Sequence, residues 1–199
     1  MLPLLACLAA GQPAYIPVPL RDLAGQEERW GEGARLMVSG VWRPDGPFER
    51  LVRGFLEDGH SRLRVLGSAF DWMPPAGQAV EFWGVLRRDA AGWYLQFFNG
   101  RLRGDRSRKP RVTPPMQAGQ QVELVARLRQ SGHEPFVRWV AETEDLVAIT
   151  LENAPARQIT SGVIARVVLQ VRSASPLAIT ARLLSAEPVP GALPPAPGG

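Results

Sequence analysis

Two stretches of this chain, residues 34–104 and 122–188, follow the same succession of strand and turn signals, and their starting points lie 88 positions apart. The segment from Pro47 to Val52 (PFERLV) matches the segment from Pro135 to Val140 (PFVRWV), and an acidic bend follows each of them. A unit of about 70 residues is too long for a solenoid repeat and has the size of a small domain. The repeat therefore predicts two small domains of one fold in tandem, an organisation typical of binding proteins.

Each copy of the repeat holds five apolar or alternating runs bounded by turn residues, which is the pattern of β-strands. The predicted strands are residues 35–43, 51–57, 62–66, 80–87 and 93–99 in the first copy, and 122–130, 136–143, 146–152, 163–172 and 177–186 in the second. Ahead of them, prolines keep residues 15–20 extended, and residues 22–30 have room for a short helical turn. The predicted fold class is all-β, with two small five-stranded barrels in tandem related by internal duplication.

Five mostly antiparallel strands, with glycines inside strands where a sheet must coil, resemble the OB fold. The resemblance implies a Greek-key barrel that binds oligonucleotides or oligosaccharides on one sheet face. An OB fold usually has a helix between its third and fourth strands, but residues 68–75 have room for little more than one turn. In layout the chain is similar to bacterial single-stranded-DNA-binding proteins that carry two OB folds, although it lacks an acidic C-terminal tail.

Composition divides the chain further. We predict an N-terminal extension over residues 1–30 and a first OB-like domain over residues 31–104. A basic proline-containing linker, residues 105–117, leads to a second OB-like domain over residues 118–187. Residues 188–199 form a disordered Pro/Gly tail.

The N-terminal residues bear on the location of the protein. Met1–Ala10 is apolar, and Leu4-Leu-Ala-Cys7 within it resembles a lipobox, but the run has no basic residue and is too short to span a bilayer. Cys7 is the only cysteine, so no intrachain disulfide can form. We therefore predict a cytoplasmic protein whose first residues pack on the first domain. An envelope lipoprotein is the alternative if the coding start lies upstream.

The surplus of basic charge lies between the two domains. Residues 31–100 carry eight arginines and eight carboxylates, and residues 118–187 carry seven of each. The linker stretch contains one carboxylate, Asp105, and six cations. The cations are Arg101, Arg103, Arg106, Arg108, Lys109 and Arg111. A phosphate backbone could follow this stripe and release counterions. The alternative is a flexible hinge that the charges keep solvated.

Strand alternation assigns a set of arginines and aromatic residues to the outer face of the first barrel. The set is Arg53, Phe55, Arg62, Arg64, Trp83, Arg87, Tyr94 and Phe98. Arginines interleaved with aromatic rings on one sheet face predict a stacking platform for single-stranded nucleic acid. The alternative is that the second domain, the N-terminal segment or another subunit covers these rings.

The second copy has outward arginines but no aromatic residue in an outward position that alternation can assign. The side of the strand on which Phe136 and Trp139 lie stays open. Ile164 and Val168, in outward positions, are typical of an interface, which predicts that this domain packs on its partner copy or self-associates.

The sequence gives little support for catalysis. His60 and His133 do not correspond between the copies, and no nucleotide-binding motif, cofactor motif or metal cluster is visible. The acidic run Glu142, Glu144 and Asp145 falls at a predicted hairpin bend, where we expect it to be solvated. We therefore predict a non-enzymatic protein that binds single-stranded DNA or RNA, without cofactor, catalytic residues or metal. A protein-binding assembly module is the alternative.

Overall fold

The computed structural model describes residues 15–46, 51–68, 70–132, 135–175 and 178–189. The predictions for Met1–Ala10, for His133 and for nearly all of the C-terminal tail lie outside the described residues. The elements are β1 (Ile16–Pro19), α1 (Leu20–Leu23), α2 (Glu27–Trp30), β2 (Arg35–Pro44), β3 (Leu51–Asp58), β4 (Ser61–Ser68), β5 (Ala79–Asp89), β6 (Gly92–Leu102), β7 (Gln121–Ser131), β8 (Arg138–Thr143), β9 (Ala148–Leu151), β10 (Val163–Ala174) and β11 (Ile179–Pro188).

The strands form two closed five-stranded barrels in tandem, as the repeat predicts. In the first barrel the strands follow one another in the order β2-β3-β4-β6-β5 and return to β2. In the second barrel the order is β7-β8-β9-β11-β10, again returning to β7. Each barrel has one parallel contact, β4 with β6 and β9 with β11, and its other pairings are antiparallel. This shared order is consistent with OB-like folds, and the predicted all-β class is confirmed.

Alternation along the strands fills the first barrel. In β2, Leu36, Val38 and Trp42 point inward and are buried. The alternate residues Met37, Ser39 and Val41 are partly exposed. The ring of Trp42 meets that of Phe82 with 5.2 Å between centroids, and Phe82 meets Phe97 at 4.5 Å. Aromatic rings at such distances bury large areas and add pair energies of roughly 0.5–1.5 kcal/mol. These rings form the centre of the first core.

Two glycines allow the strands of the first barrel to pass close to one another. A Cβ atom at Gly67 would overlap the backbone of Phe97, and one at Gly84 would overlap the carbonyl oxygen of Gln96. Next to Gly84 the ladder between β5 and β6 has a bulge, which bends the sheet. The glycines inside the strands therefore serve barrel closure, as the sequence indicates.

Short segments close the ends of the first barrel. The extended segment β1 pairs in parallel with β2, and α1 then places Leu20 and Leu23 in the core with no exposed surface. The described residues between β4 and β5 form no helix, and Trp72 and Met73 from this connector pack against the core instead. Within the described part of the chain, none of the helices has the length and apolarity to cross a membrane.

Candidate functional site

A belt of alternating arginines and aromatic rings crosses the outside of the first barrel. The strand register places Arg43 opposite Phe55, Phe55 opposite Arg64, Arg64 beside Tyr94, and Tyr94 opposite Arg87. We call these five residues the belt. Its members come from β2, β3, β4, β6 and β5, so all five strands contribute one residue each. Directly paired positions lie about 4.5–5.5 Å apart, which brings neighbouring guanidinium and ring planes within contact distance.

One cation–π contact lies within the belt, and a second joins the belt to Arg62, two residues before Arg64 on β4. The guanidinium carbon of Arg64 lies 5.1 Å from the ring centroid of Tyr94, and that of Arg62, next along β4, lies 3.5 Å from the centroid of Phe55. Both rings are half-buried, and Arg62 is exposed. Cation–π contacts of this kind hold the planar groups in place at exposed sites. Arg53, on the same strand as Phe55, is also exposed.

Carboxylates at the edge of the belt hold its arginines. Arg64 donates to Asp89 at 2.5 Å, Arg43 donates to Glu57 at 3.2 Å, and Arg87 donates to the side-chain oxygen of Gln96 at 3.1 Å. Glu57 also pairs with Arg62, so one carboxylate serves two cations. Exposed ion pairs contribute roughly 0–1 kcal/mol each, so a phosphate can replace such partners at little cost.

Two of the predicted stacking residues are not available at the surface. Trp83 has no exposed area, and Phe98 is almost completely covered. Both point away from the first core, as alternation predicts, but they form a separate cluster with Tyr15 and Val85, against which the linker residue Val112 packs. For these two rings the structure therefore shows the alternative that the sequence left open, because other parts of the protein cover them.

The cover includes the acidic bend between β8 and β9 of the second barrel. The carboxylate of Glu144 accepts hydrogen bonds from Trp83 Nε1 at 2.5 Å and from Asn99 Nδ2 at 3.2 Å. Asp145 accepts from the backbone N–H of Thr113 at 3.0 Å and pairs with Arg35 at 3.4 Å. We call this set of contacts the inter-barrel lock.

The expectation that the acidic bend is solvated was wrong for two of its three residues. Glu144 is only 2% exposed and Asp145 only 5%, whereas Glu142 is partly exposed and pairs with Arg129 at 3.4 Å. A hairpin bend would be solvated on an isolated barrel. Here it lies against the first barrel and the linker, whose donors bind both buried carboxylates.

The lock also uses the linker cations. Arg108 and Arg111 both donate to Asp71 at 2.6 Å, and Arg111 reaches Glu144 at 3.2 Å. Arg101 pairs with Glu81 at 2.5 Å. Three of the six cations of the stripe are thus held by carboxylates, whereas Arg103, Arg106 and Lys109 are exposed.

The environment shifts the ionisation of the two central carboxyls in opposite directions. Burial raises the pKa of Glu144, against the opposing effect of the hydrogen bond from Trp83 and the charge of Arg111. Burial also acts to raise the pKa of Asp71, but the hydrogen bonds from Asn99 and Arg111 outweigh it, so this pKa is lowered. The ionised form is therefore favoured at Asp71 and disfavoured at Glu144.

Sequence reasoning missed Asp71 and Asn99 as members of the lock. Asn99 is fully buried within β6, between Phe98 and Gly100. An amide side chain directly after the apolar pair Phe97 and Phe98 was a usable signal, because a buried amide requires partners.

In the second barrel, Ile164 is buried and Val168 is half-buried, so neither forms an exposed apolar patch. The structure also settles the facing of the two aromatic residues that alternation left open. Phe136 is 74% exposed, and Trp139 is half-buried and lines a groove.

Nothing in the described residues brings catalytic groups together. His60 is exposed in the turn between β3 and β4, and among the residues described no three His, Cys, Asp or Glu side chains converge as a metal site would need. No protein-family model matches the chain, and no curated protein matches it in sequence.

Proposed function

We propose that this protein binds single-stranded nucleic acid on the belt of the first barrel. The observation that supports this most is the unbroken register from Arg43 to Arg87, in which cations and rings alternate across five strands. Every base has a π-face, so rings and guanidinium planes bind it with little regard to sequence. The arginines would meet the phosphates between the bases.

The ligand is expected to contact a smaller set of residues than the sequence indicates. The candidates that keep exposed surface are Arg43, Arg53 and Arg62, which are exposed, and Phe55, Arg64, Arg87 and Tyr94, which are partly exposed. Trp83 belongs to the lock, and Phe98 is buried in the cluster beside it. From the linker, Arg103, Arg106 and Lys109 are free to extend the basic path beyond the barrel.

Fluorescence anisotropy of a labelled oligo-dT or oligo-U strand, titrated with the protein over a range of salt concentrations, tests the proposal. We expect binding that weakens as salt rises, because phosphate contacts release counterions. The double change Phe55→Leu and Tyr94→Leu keeps apolar bulk and removes both rings, and we expect it to lower affinity at least about tenfold.

Two results separate the proposal from a trivial charge effect. Arg64→Gln should reduce the salt slope by about one ion, whereas Arg166→Gln, which changes an exposed arginine on β10 of the other barrel, should leave binding unchanged. No binding of either strand at low salt refutes the proposal, and so does equal binding by the double leucine variant.

One observation favours the second candidate, a protein-binding assembly module. On the outer face of the first barrel, the rings of Trp83 and Phe98 already pack against protein. If the belt serves the same purpose, analytical ultracentrifugation will show salt-insensitive self-association that the double leucine variant loses.

A further inference from the structure

The sequence motif shared by the two copies, Pro-Phe-x-Arg-x-Val, is not explained by packing in the second barrel. Of its residues there, only Val140 is buried. Phe136 is 74% exposed, the largest exposed fraction among the large hydrophobic side chains of the described residues, and Arg138 is exposed as well. An exposed ring and an exposed guanidinium close together, neither of which fills a core position in this barrel, are better explained by a ligand than by the fold.

The motif borders a groove at one end of the second barrel. The groove has a volume of about 460 Å³ and lies where β8 begins, β9 ends and β11 begins. Its lining combines one ring with small polar groups, and the residues are Val137, Arg138, Trp139, Thr150, Leu151, Glu152, Asn153, Ala154 and Thr180. Phe136 directly precedes this lining.

At the entrance of the groove the backbone of Phe136 lies close to Gly132, although the ring of Phe136 is exposed. Gly132 has a φ of 101°, and a Cβ atom there would come within 2.5 Å of the carbonyl oxygen of Phe136. On the opposite wall, both the side-chain oxygen and the side-chain nitrogen of Asn153 bond to the backbone of Leu183. A close backbone contact therefore lies at the entrance of the groove, and two hydrogen bonds join Asn153 to Leu183 on its opposite wall.

The charge at the groove is positive. Glu152 is paired with Arg172 at 3.4 Å, and within the described residues the side chain of Arg138 has neither an ion pair nor a hydrogen bond. An uncompensated guanidinium beside an exposed ring suits a ligand that carries a planar group and an anionic group together. A protein partner would need a larger apolar surface than Phe136 and Val137 supply.

We propose that this groove is a second site for the same single-stranded nucleic acid, with a base stacked on Phe136 and a backbone phosphate bound by Arg138. The inference rests on the proposed function and extends it to the second barrel, which the sequence assigned to packing. The strand would then contact both barrels.

Anisotropy with labelled oligo-dT tests the second site with the full chain. Phe136→Ala should weaken binding by roughly 5- to 150-fold, and Arg138→Gln should reduce the salt slope by about one ion. Leu184→Ala is the matched control, because this side chain is 48% exposed on the same barrel and does not line the groove. Ultraviolet crosslinking followed by mass spectrometry of the peptide around Phe136 gives a readout that does not depend on a variant.

The outcomes separate the two proposals. Weaker binding by Phe136→Ala, together with a crosslink at its peptide, supports the second site. If the wild type binds and the Phe55 and Tyr94 double variant loses affinity, but Phe136→Ala behaves like Leu184→Ala, the second site is refuted and the belt remains. If Phe136→Ala alone loses affinity, the second site stands without the belt. If Phe136→Ala instead alters self-association in ultracentrifugation while oligonucleotide binding is unchanged, the groove binds protein and the inference fails.

Discussion

Replacing Glu144 by alanine should destabilise the protein more than the loss of an ordinary surface carboxylate. The substitution removes the acceptor of Trp83 Nε1, a donor on a fully buried residue, whereas Asn99 Nδ2 loses one acceptor and keeps its hydrogen bond to Asp71. Each buried donor left without a partner costs about 1–3 kcal/mol. Arg111 keeps its bond to Asp71, and removing a buried charge offsets part of the loss. We therefore expect the free energy of unfolding to fall by about 2 kcal/mol.

Urea denaturation followed by fluorescence and circular dichroism measures this loss. Glu142→Ala is the control, because Glu142 lies two residues away, is partly exposed and pairs with two arginines that are also partly exposed, so its loss should be within about 1 kcal/mol. Hydrogen exchange at the Trp83 indole should accelerate in Glu144→Ala and stay slow in the control. A Glu144→Ala variant as stable as Glu142→Ala, with Trp83 still protected, contradicts the assignment of Glu144 to a buried lock.

Two further predictions concern the barrel and the ionisation of the lock. Gly67→Ala should lower the free energy of unfolding by about 1–3 kcal/mol, because its methyl group overlaps the backbone of Phe97. Gly40→Ala, whose methyl group would have its nearest neighbours at 3.2 Å, should lower the free energy of unfolding by less. Urea denaturation of the two variants makes the comparison. The second prediction concerns Glu144, whose pKa is raised in the folded state. The free energy of unfolding of the wild type relative to Glu144→Gln should therefore be highest below the ordinary pKa of 4.5 and fall as pH rises through the folded-state pKa. A difference between the two proteins that stays constant over this pH range refutes the shift.

The strands were predictable because the information for them is local. Alternation of apolar residues, the Asp-Gly turn at Asp58 and the position of the glycines depend on neighbours within a few residues, and both barrels follow from them. The repeat added the relation between the halves. The belt was partly predictable for the same reason, since alternation assigns Phe55, Arg64 and Tyr94 to the outer face. Its continuity depends on the register between strands, which a single strand does not encode.

The inter-barrel lock could not be predicted from alternation. A period of two says that Trp83 points away from the core of its own barrel, but it does not say what covers that side. The partner, Glu144, lies 61 positions away and reaches Trp83 only because the linker folds back. Its own sequence context, an acidic hairpin bend, favours exposure. The buried amide of Asn99 was the local hint that a polar partner had to come from elsewhere.

The lock also predicts how the two proposed sites cooperate. If the belt and the groove near Phe136 bind one strand, the second contact is intramolecular, and its strength depends on how firmly the lock fixes the barrels relative to each other. Glu144→Ala should therefore weaken binding of oligonucleotides long enough to reach both barrels, while short ones that occupy only the belt keep their affinity. A length series of oligo-dT, measured for the wild type, Glu144→Ala and Glu142→Ala in conditions where all three are folded, makes the comparison. Equal loss at every length would show instead that the substitution damages the belt itself, and no loss at any length would show that the two sites do not share a strand.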